Sequence, residues 1–385
     1  MDSYKTIVAN SKFSEMITTA YSNLENQSID IVLGNPSCDQ DSFLGSHILA
    51  VMLGRIPVVN MQREIFECKH DLMKLCDILG IEIQNLVFLV YEENQWFLKR
   101  GDVRYRLSEK NVKAHLVDFN LPETSLIECK TFRVDRIIDH HQLIKYNKHV
   151  HSQTDGMEIE LKAGSCCSLI LRRINHLFAD VLKEKKDTHD YDFLLLLSVP
   201  ILTDTACLVR KQHDVDINGV NSALSIANVE FKTAESVMSD LKHLKHCEDK
   251  IPTKMILRMD YKSFDYPEKY GEKTYGISSV KYPYKKWIER DGPAVWKEEI
   301  KKFVEEKKHE IFIINCKHHN DRYLYVYCPS NMKDMIKTAL FAGGTVESKT
   351  ILNDEEIVIY QVDLATSRKI IAPAVFKYLD ARKVE

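Results

Sequence analysis

The sequence predicts an α/β protein of two domains, an amino-terminal one built on a parallel sheet and a smaller one with a mixed sheet. Three observations predict it. Apolar runs in the first half end, one after another, in carboxylates or histidines; helical patterns alternate with those runs; and 385 residues exceed what a single core usually serves. Strands that alternate with helices form a parallel sheet covered on both faces. Such sheets place their chemistry in the crevice at the carboxyl ends of the strands.

Residues 29–34 read as a buried strand, followed by a loop and an amphipathic helix over 43–53, with Asp41 or Ser42 available as its cap. Further strands are expected at 56–60, 86–91, 114–119 and 134–139, with a helix over 67–79 between two of them. After Asp139 the pattern turns helical, over 166–186, 191–200 and 220–227. The charged stretch 241–250 and Pro252 then punctuate the chain, so the junction is placed upstream of them, giving domains of 1–222 and 223–385. The second half offers strands at 274–280, 310–315 and 323–328, a helix near 332–340 and a last helix from about Pro373.

The composition is that of a folded globular chain, with 44% hydrophobic and 28% charged residues. A net charge of −3 carries no global signal for nucleic acid or an anionic membrane, and neither is expected as a partner. Ten cysteines without a C-x-x-C pair, several inside apolar runs, read as buried reduced thiols. A polar amino terminus and the lack of a long apolar run point to a cytoplasmic protein.

Four segments carry the candidate chemistry: Asn35-x-x-x-Asp39-x-Asp41-Ser42, Asp118, Asp139-His140-His141 and Asp204. Two carboxylates spaced as Asp39 and Asp41 can reach different ions of a pair, and they can equally cap a helix. Adjacent histidines on a strand-to-loop bend point in different directions, so one can bind metal while the other faces substrate; a surface pair is the alternative. Asp204 follows an apolar stretch, where an unpaired buried carboxylate would be costly and a metal partner would remove the cost. Oxygen-rich ligation with one or two imidazoles favours Mn²⁺ or Mg²⁺, with Zn²⁺ and Co²⁺ also compatible.

In this order the motifs resemble those of the DHH phosphoesterase superfamily. Met259-Asp-Tyr-Lys262 and Ser367-Arg368-Lys369 resemble basic motifs of the DHHA2 carboxy-terminal domain, shared by family II inorganic pyrophosphatases, eukaryotic exopolyphosphatases and prune proteins. Asn35 stands where the pyrophosphatases have a histidine ligand, and Gly276-Ile-Ser-Ser-Val280 also resembles the exopolyphosphatase and prune branch, while His141 is kept where vertebrate prune replaces it.

The resemblance implies a hydrolase that releases orthophosphate from the ends of inorganic polyphosphate, in a cleft between the two domains. It implies two divalent ions, one on Asp39 and Asp118, the other on Asp41, Asp118, His140 and Asp204, with Asp118 bridging. Asn35 would offer a weak carbonyl to the first ion, and His141 would contact a phosphoryl oxygen or donate a proton to the leaving phosphate. Lys262, Arg368 and Lys369 would neutralise substrate charge, and the Gly164-Ser165 turn would either meet phosphate or simply cap a helix. A prune-like hydrolase of short polyphosphates or nucleotides, and a protein-binding scaffold keeping the fold, are the alternatives.

Overall fold

Among the described residues, eight strands organise the amino-terminal half: Ser28–Leu33 (β1), Ile56–Val58 (β2), Val87–Glu92 (β3), Gln95–Arg100 (β4), Val103–Arg106 (β5), Asn111–Val117 (β6), Phe132–Asp139 (β7) and Gly156–Ile159 (β8). In this computed structural model residues 2–143, 156–210, 213–244, 249, 251–271, 273–332, 337, 349–353 and 357–381 are described. The chain forms two compact units, Met1–Lys245 and His246–Glu385. The junction expected after residue 222 falls inside the Asp214–Ala227 helix, because that helix packs on Cys166–Glu184 of the first unit.

The central sheet runs β2-β1-β6-β7-β8 and is parallel throughout. Its strands are apolar because both faces are covered, and Ile29, Ile31, Val32 and Leu33 of β1 are all buried. β6 ends at Val117 and β7 at Asp139, which carries the residues that follow them to the same edge of the sheet.

β3 departs from the expected parallel arrangement. It forms an antiparallel sheet with β4 and β5, joined to the first by a lone parallel bridge, Val59 to Phe88. Glu93 and Asn94 adopt left-handed backbone (φ 52° and 59°), the geometry of a two-residue hairpin turn, and so fold β4 back on β3.

The first helix after β1 spans Gln40–Met52 and begins three residues before the expected start. Its cap is Asp39, whose side chain accepts from Ser42 N. Every residue of it is buried, so it has no polar stripe from which a boundary could be read. Gly45 allows its close approach: a Cβ there would lie 3.2 Å from Val117 Cγ1 and 3.6 Å from Cys167 Sγ. The helix expected over 67–79 is two pieces, Arg63–Phe66 and His70–Leu79.

The second unit is a mixed sheet of Tyr261–Asp265 (β9), Thr274–Val280 (β10), Phe312–His318 (β11), Asp321–Tyr327 (β12), Lys349–Asn353 (β13) and Ile357–Val362 (β14), in the order β13-β14-β12-β11-β10-β9. β10 and β11 are parallel and the other neighbours antiparallel. One face, with Ile277, Ile313, Val326 and Val358, packs on Ile371, Val375 and Leu379 of the Arg368–Ala381 helix. On the other face Phe312 meets Phe303, and Tyr325 meets Trp296, both from the Pro293–Lys307 helix.

The last helix starts at Arg368 and not at Pro373, because the Ser367 carbonyl already accepts from Ile370 and Ile371 N. Pro373 sits inside it, with Ile371, Ala372 and Val375 buried around that turn. The helix expected near 332–340 lies almost wholly outside the described residues. The described cysteines are free thiols, and no helix among the described residues is long and apolar enough to cross a membrane.

Candidate metal centre

Asp118 is the first residue past β6, and its backbone is left-handed (φ 66°). A non-glycine residue there is strained by roughly 1–2 kcal/mol, least for Asp and Asn, whose short polar side chains bond locally. The conformation buries the carboxylate to 2% exposure. Asn35, just past β1, donates through Nδ2 to Asp118 Oδ2 at 2.5 Å. The other oxygen, Oδ1, has no hydrogen-bond partner among the described residues. It faces His140 Nε2 at 3.3 Å and His141 Nδ1 at 3.5 Å.

Asp118, His140 and His141 are the one group among the described residues whose potential ligand atoms all lie within 4.8 Å of one another. His140 Nδ1 donates to the Ala163 carbonyl at 3.1 Å, which leaves Nε2 pointing at Asp118 and, at 3.8 Å, at Asp41 Oδ2. A carbonyl that fixes one ring nitrogen while the other faces carboxylates is the arrangement that orients metal-binding imidazoles.

Electrostatics favour a positive partner at this point. Burial, together with Asp39 and Asp41, pushes the Asp118 carboxyl well above the usual carboxylate range despite the pull of His140. Burial works against a charged His140, yet Asp118 and Asp41 hold its imidazole up to about 10. A cation would relieve both. The orphaned Oδ1, and Nε2 once its proton is displaced, therefore fit a divalent ion.

The remaining residues singled out in the sequence are placed as follows. Asp41 is buried with its carboxylate docked on the start of the Cys166–Glu184 helix, accepting from Ser165 Oγ (2.7 Å), Cys166 N (2.8 Å) and Cys167 N (2.8 Å). Asp39 caps its own helix. Asn35 Oδ1 accepts from Cys38 N at 2.9 Å, so the carbonyl expected to meet an ion is engaged by the loop and the amide holds Asp118 instead. The Gly164-Ser165 turn is also engaged, since Gly164 N donates to both oxygens of Asp216 and Ser165 caps the helix. Its capping reading prevails over phosphate contact.

Asp204 ends the Ser198–Asp204 helix and is exposed, contrary to the buried carboxylate expected. The helix turns its apolar face and Thr205 inward, and Asp204 projects from the last turn. Three left-handed residues follow, Ala206, Cys207 and Leu208 (φ 50°, 58° and 62°), a concentration of backbone strain of the kind found at functional segments.

In the second unit Arg368 is bound to Asp260 twice, Nη2 to Oδ1 at 2.8 Å and Nη1 to the backbone oxygen at 3.0 Å. Lys262 lies two residues further along β9, paired with Ile277 and thus on the sheet face that carries the last helix. Lys369 is exposed in the first turn of that helix. Asn120 and Asp216 were missed in the sequence. Asn120 Nδ2 donates to Asp139 Oδ2 at 2.6 Å, and the one signal for it was a polar residue three positions past a strand end. Asp216 lies far along the chain, and nothing near it marks its role.

Comparison with known proteins sharpens this picture. Residues 239–378 match the family model of the DHHA2 domain. The solved structure of a putative family II inorganic pyrophosphatase from Methanococcus jannaschii is similar to this chain with a TM-score of 0.59 at 14% identity, covering 92% of this chain and 100% of that one. That likeness fixes the fold: an α/β chain with an amino-terminal parallel sheet and a carboxy-terminal mixed sheet. RecJ of Thermus thermophilus, solved with Mn²⁺, aligns over 99% of this chain and 55% of its own with a TM-score of 0.30 and 11% identity, too low to carry argument. No curated protein matches at a significant level.

Proposed function

We propose that this chain is a metal-dependent phosphohydrolase of the DHH superfamily, an exopolyphosphatase that cleaves terminal phosphoanhydride bonds of inorganic polyphosphate and releases orthophosphate. The observation that carries the hydrolytic reading is the buried Asp118 Oδ1, without a hydrogen-bond partner among the described residues and flanked by two imidazole nitrogens at the carboxyl edge of a parallel sheet. Support for a polyanionic substrate comes from Lys262, Arg368 and Lys369 within the DHHA2 match, and from Asn35 in place of the histidine of the pyrophosphatase branch.

In this reading Asp39, Asp41, Asp118, His140 and Asp204 hold two divalent ions, Mn²⁺ or Mg²⁺ by the chemistry of the donors. When bound, the ions neutralise phosphoryl charge and acidify water at the site. Asp118 keeps its charge directed at the ions because Asn35 fixes its second oxygen. His140 presents Nε2 because Ala163 takes Nδ1. His141 contacts a phosphoryl oxygen and can pass a proton toward the leaving phosphate. Arg368 offers paired contacts to phosphate oxygens, while Lys262 and Lys369 act as point charges.

The test is phosphate release from pyrophosphate, tripolyphosphate, long-chain polyphosphate, nucleoside polyphosphates and a cyclic nucleotide, with Mn²⁺ or Mg²⁺ present. Preference for long chains, with orthophosphate as sole product, is expected. Dominant turnover of pyrophosphate or of a cyclic nucleotide would replace the substrate assignment.

A further inference from the structure

Asn120 is buried to 2% exposure on the loop that also carries Asp118. Its Nδ2 donates to Asp139 Oδ2 at 2.6 Å and to the Gln142 carbonyl at 3.3 Å, so one amide ties the loop after β6 to the bend after β7. Asp139 is wholly buried, and its other oxygen accepts three bonds from the histidine pair: His140 N at 2.8 Å, His141 N at 3.1 Å and His141 Nδ1 at 2.8 Å. Oδ1 already accepts from two backbone N–H groups and Oδ2 from the Asn120 amide, so Asp139 acts as the acceptor and the His141 proton facing it sits on Nδ1.

We propose that Asn120 is a positioning residue for His141: by saturating the far oxygen of Asp139 it fixes the near oxygen, which sets the imidazole tautomer and presents Nε2 to a phosphoryl group. The role of His141 toward substrate rests on the function proposed above; the hydrogen-bonded chain Asn120–Asp139–His141 does not. A carboxamide suits this place for a definite reason. It is neutral and can donate to a carboxylate, whereas a second carboxylate would repel Asp139 and an apolar side chain would leave Oδ2 buried and unpaired. The alternative is a strut that merely braces two loops. A strut would lower stability and metal affinity together, without acting through His141.

Two measurements on the full chain separate these. In metal-free protein labelled with ¹⁵N-histidine, the His141 imidazole should show the Nδ1-protonated tautomer, and Asn120→Ala should convert it to a mixture. In steady-state kinetics with Mn²⁺ and polyphosphate, Asn120→Ala should lower kcat about ten- to a hundredfold, with KM and Mn²⁺ affinity within about threefold of wild type, as loss of such an orienting partner does. Placed in a His141→Ala background, the same substitution should cost nothing further. Asn120→Ser, which keeps a hydroxyl donor, should fall between wild type and Asn120→Ala, and it carries the same cycle if the alanine variant does not fold. An unchanged imidazole spectrum, or a full additional loss in the His141→Ala background, overturns the proposal. A wild-type protein inert toward every phosphoanhydride would sink the proposed function, while the imidazole spectrum would still decide the chain from Asn120 to His141.

Discussion

The two units hold their candidate functional groups in different ways. In the first, four groups are fixed by bonds from distant parts of the chain or from their own loop: Asp41 by three donors at a helix start, Asp118 by Asn35 and a left-handed backbone, His140 by a carbonyl, and His141 by Asp139. In the second, Arg368 is held by Asp260, Lys262 is half-buried and Lys369 is exposed. A metal needs ligand atoms placed to within a few tenths of an ångström, so its ligands must be locked before it arrives. Lys262 and Lys369 need only bring charge near a flexible polyanion, which long side chains can do while keeping their freedom, whereas Arg368 is already ordered for a two-point contact. Substitutions in the first unit should therefore act on the metal site, and those in the second on contacts to the polyanion.

The largest effect is expected at Asp118. Asp118→Asn keeps a residue that tolerates left-handed backbone, so the fold should survive while the carboxylate charge is lost. Turnover should fall about a thousandfold or more, as loss of comparable electrostatic contributions does. A folded variant that keeps more than about a tenth of wild-type phosphate release at saturating Mn²⁺ would sink the bridging role.

Arg368→Ala probes the other side of the comparison. It should weaken transition-state stabilisation by about 2–4 kcal/mol in kcat/KM while Mn²⁺ affinity, read by calorimetry, stays near wild type. Arg368→Lys should not restore it, since a single ammonium cannot reproduce the two-point guanidinium contact seen with Asp260. A lysine variant matching wild type, or a change confined to metal affinity, would return this residue to a structural ion pair.

The acid–base state of the first unit gives a further effect. Against burial, Asp118 and Asp41 hold the His140 imidazole up to about 10, so it carries a proton at neutral pH without metal. A cation that meets His140 Nε2 must displace that proton, and Mn²⁺ affinity should rise with pH by up to about tenfold per unit. Calorimetry between about pH 7 and 9, in buffers of different ionisation enthalpy, counts the protons directly. A flat profile without proton release would mean that His140 does not meet the ion. Arg368→Ala should leave the slope unchanged.

The smallest effect is expected from Asn35→His. Imidazole is a better ligand for transition metals than a carboxamide, so half-maximal activity should need a few-fold less Mn²⁺, and pyrophosphate turnover should gain relative to polyphosphate. The gain is limited because Asn35 already serves Asp118 and Cys38 N, and the substitution disturbs both bonds. An unchanged metal titration and substrate ratio would place position 35 outside the ligand sphere.

Much of this was legible in the sequence, because β1, β6 and β7 are largely buried and announce themselves as apolar runs whose ends are polar. Residues at those ends, Asp118 and Asp139-His140-His141, could be named before any fold was known. The antiparallel β3–β5 sheet was not legible: its turn uses Glu93 and Asn94 rather than a glycine, and its strands carry mixed charges. Nor was the start of the Gln40–Met52 helix, since a fully buried helix shows no polar stripe.

Sequence alone singled out the side chains that are candidates for the chemistry, because strand ends and short motifs are local and their spacing survives without coordinates. Tertiary structure decided what each group faces. Asn35 meets Asp118 across 83 positions of chain, Ser165 meets Asp41 across 124, and Gly164 meets Asp216 across 52. Hydrogen bonds at such separations depend on how sheet and helices pack, and no local pattern in the chain encodes them.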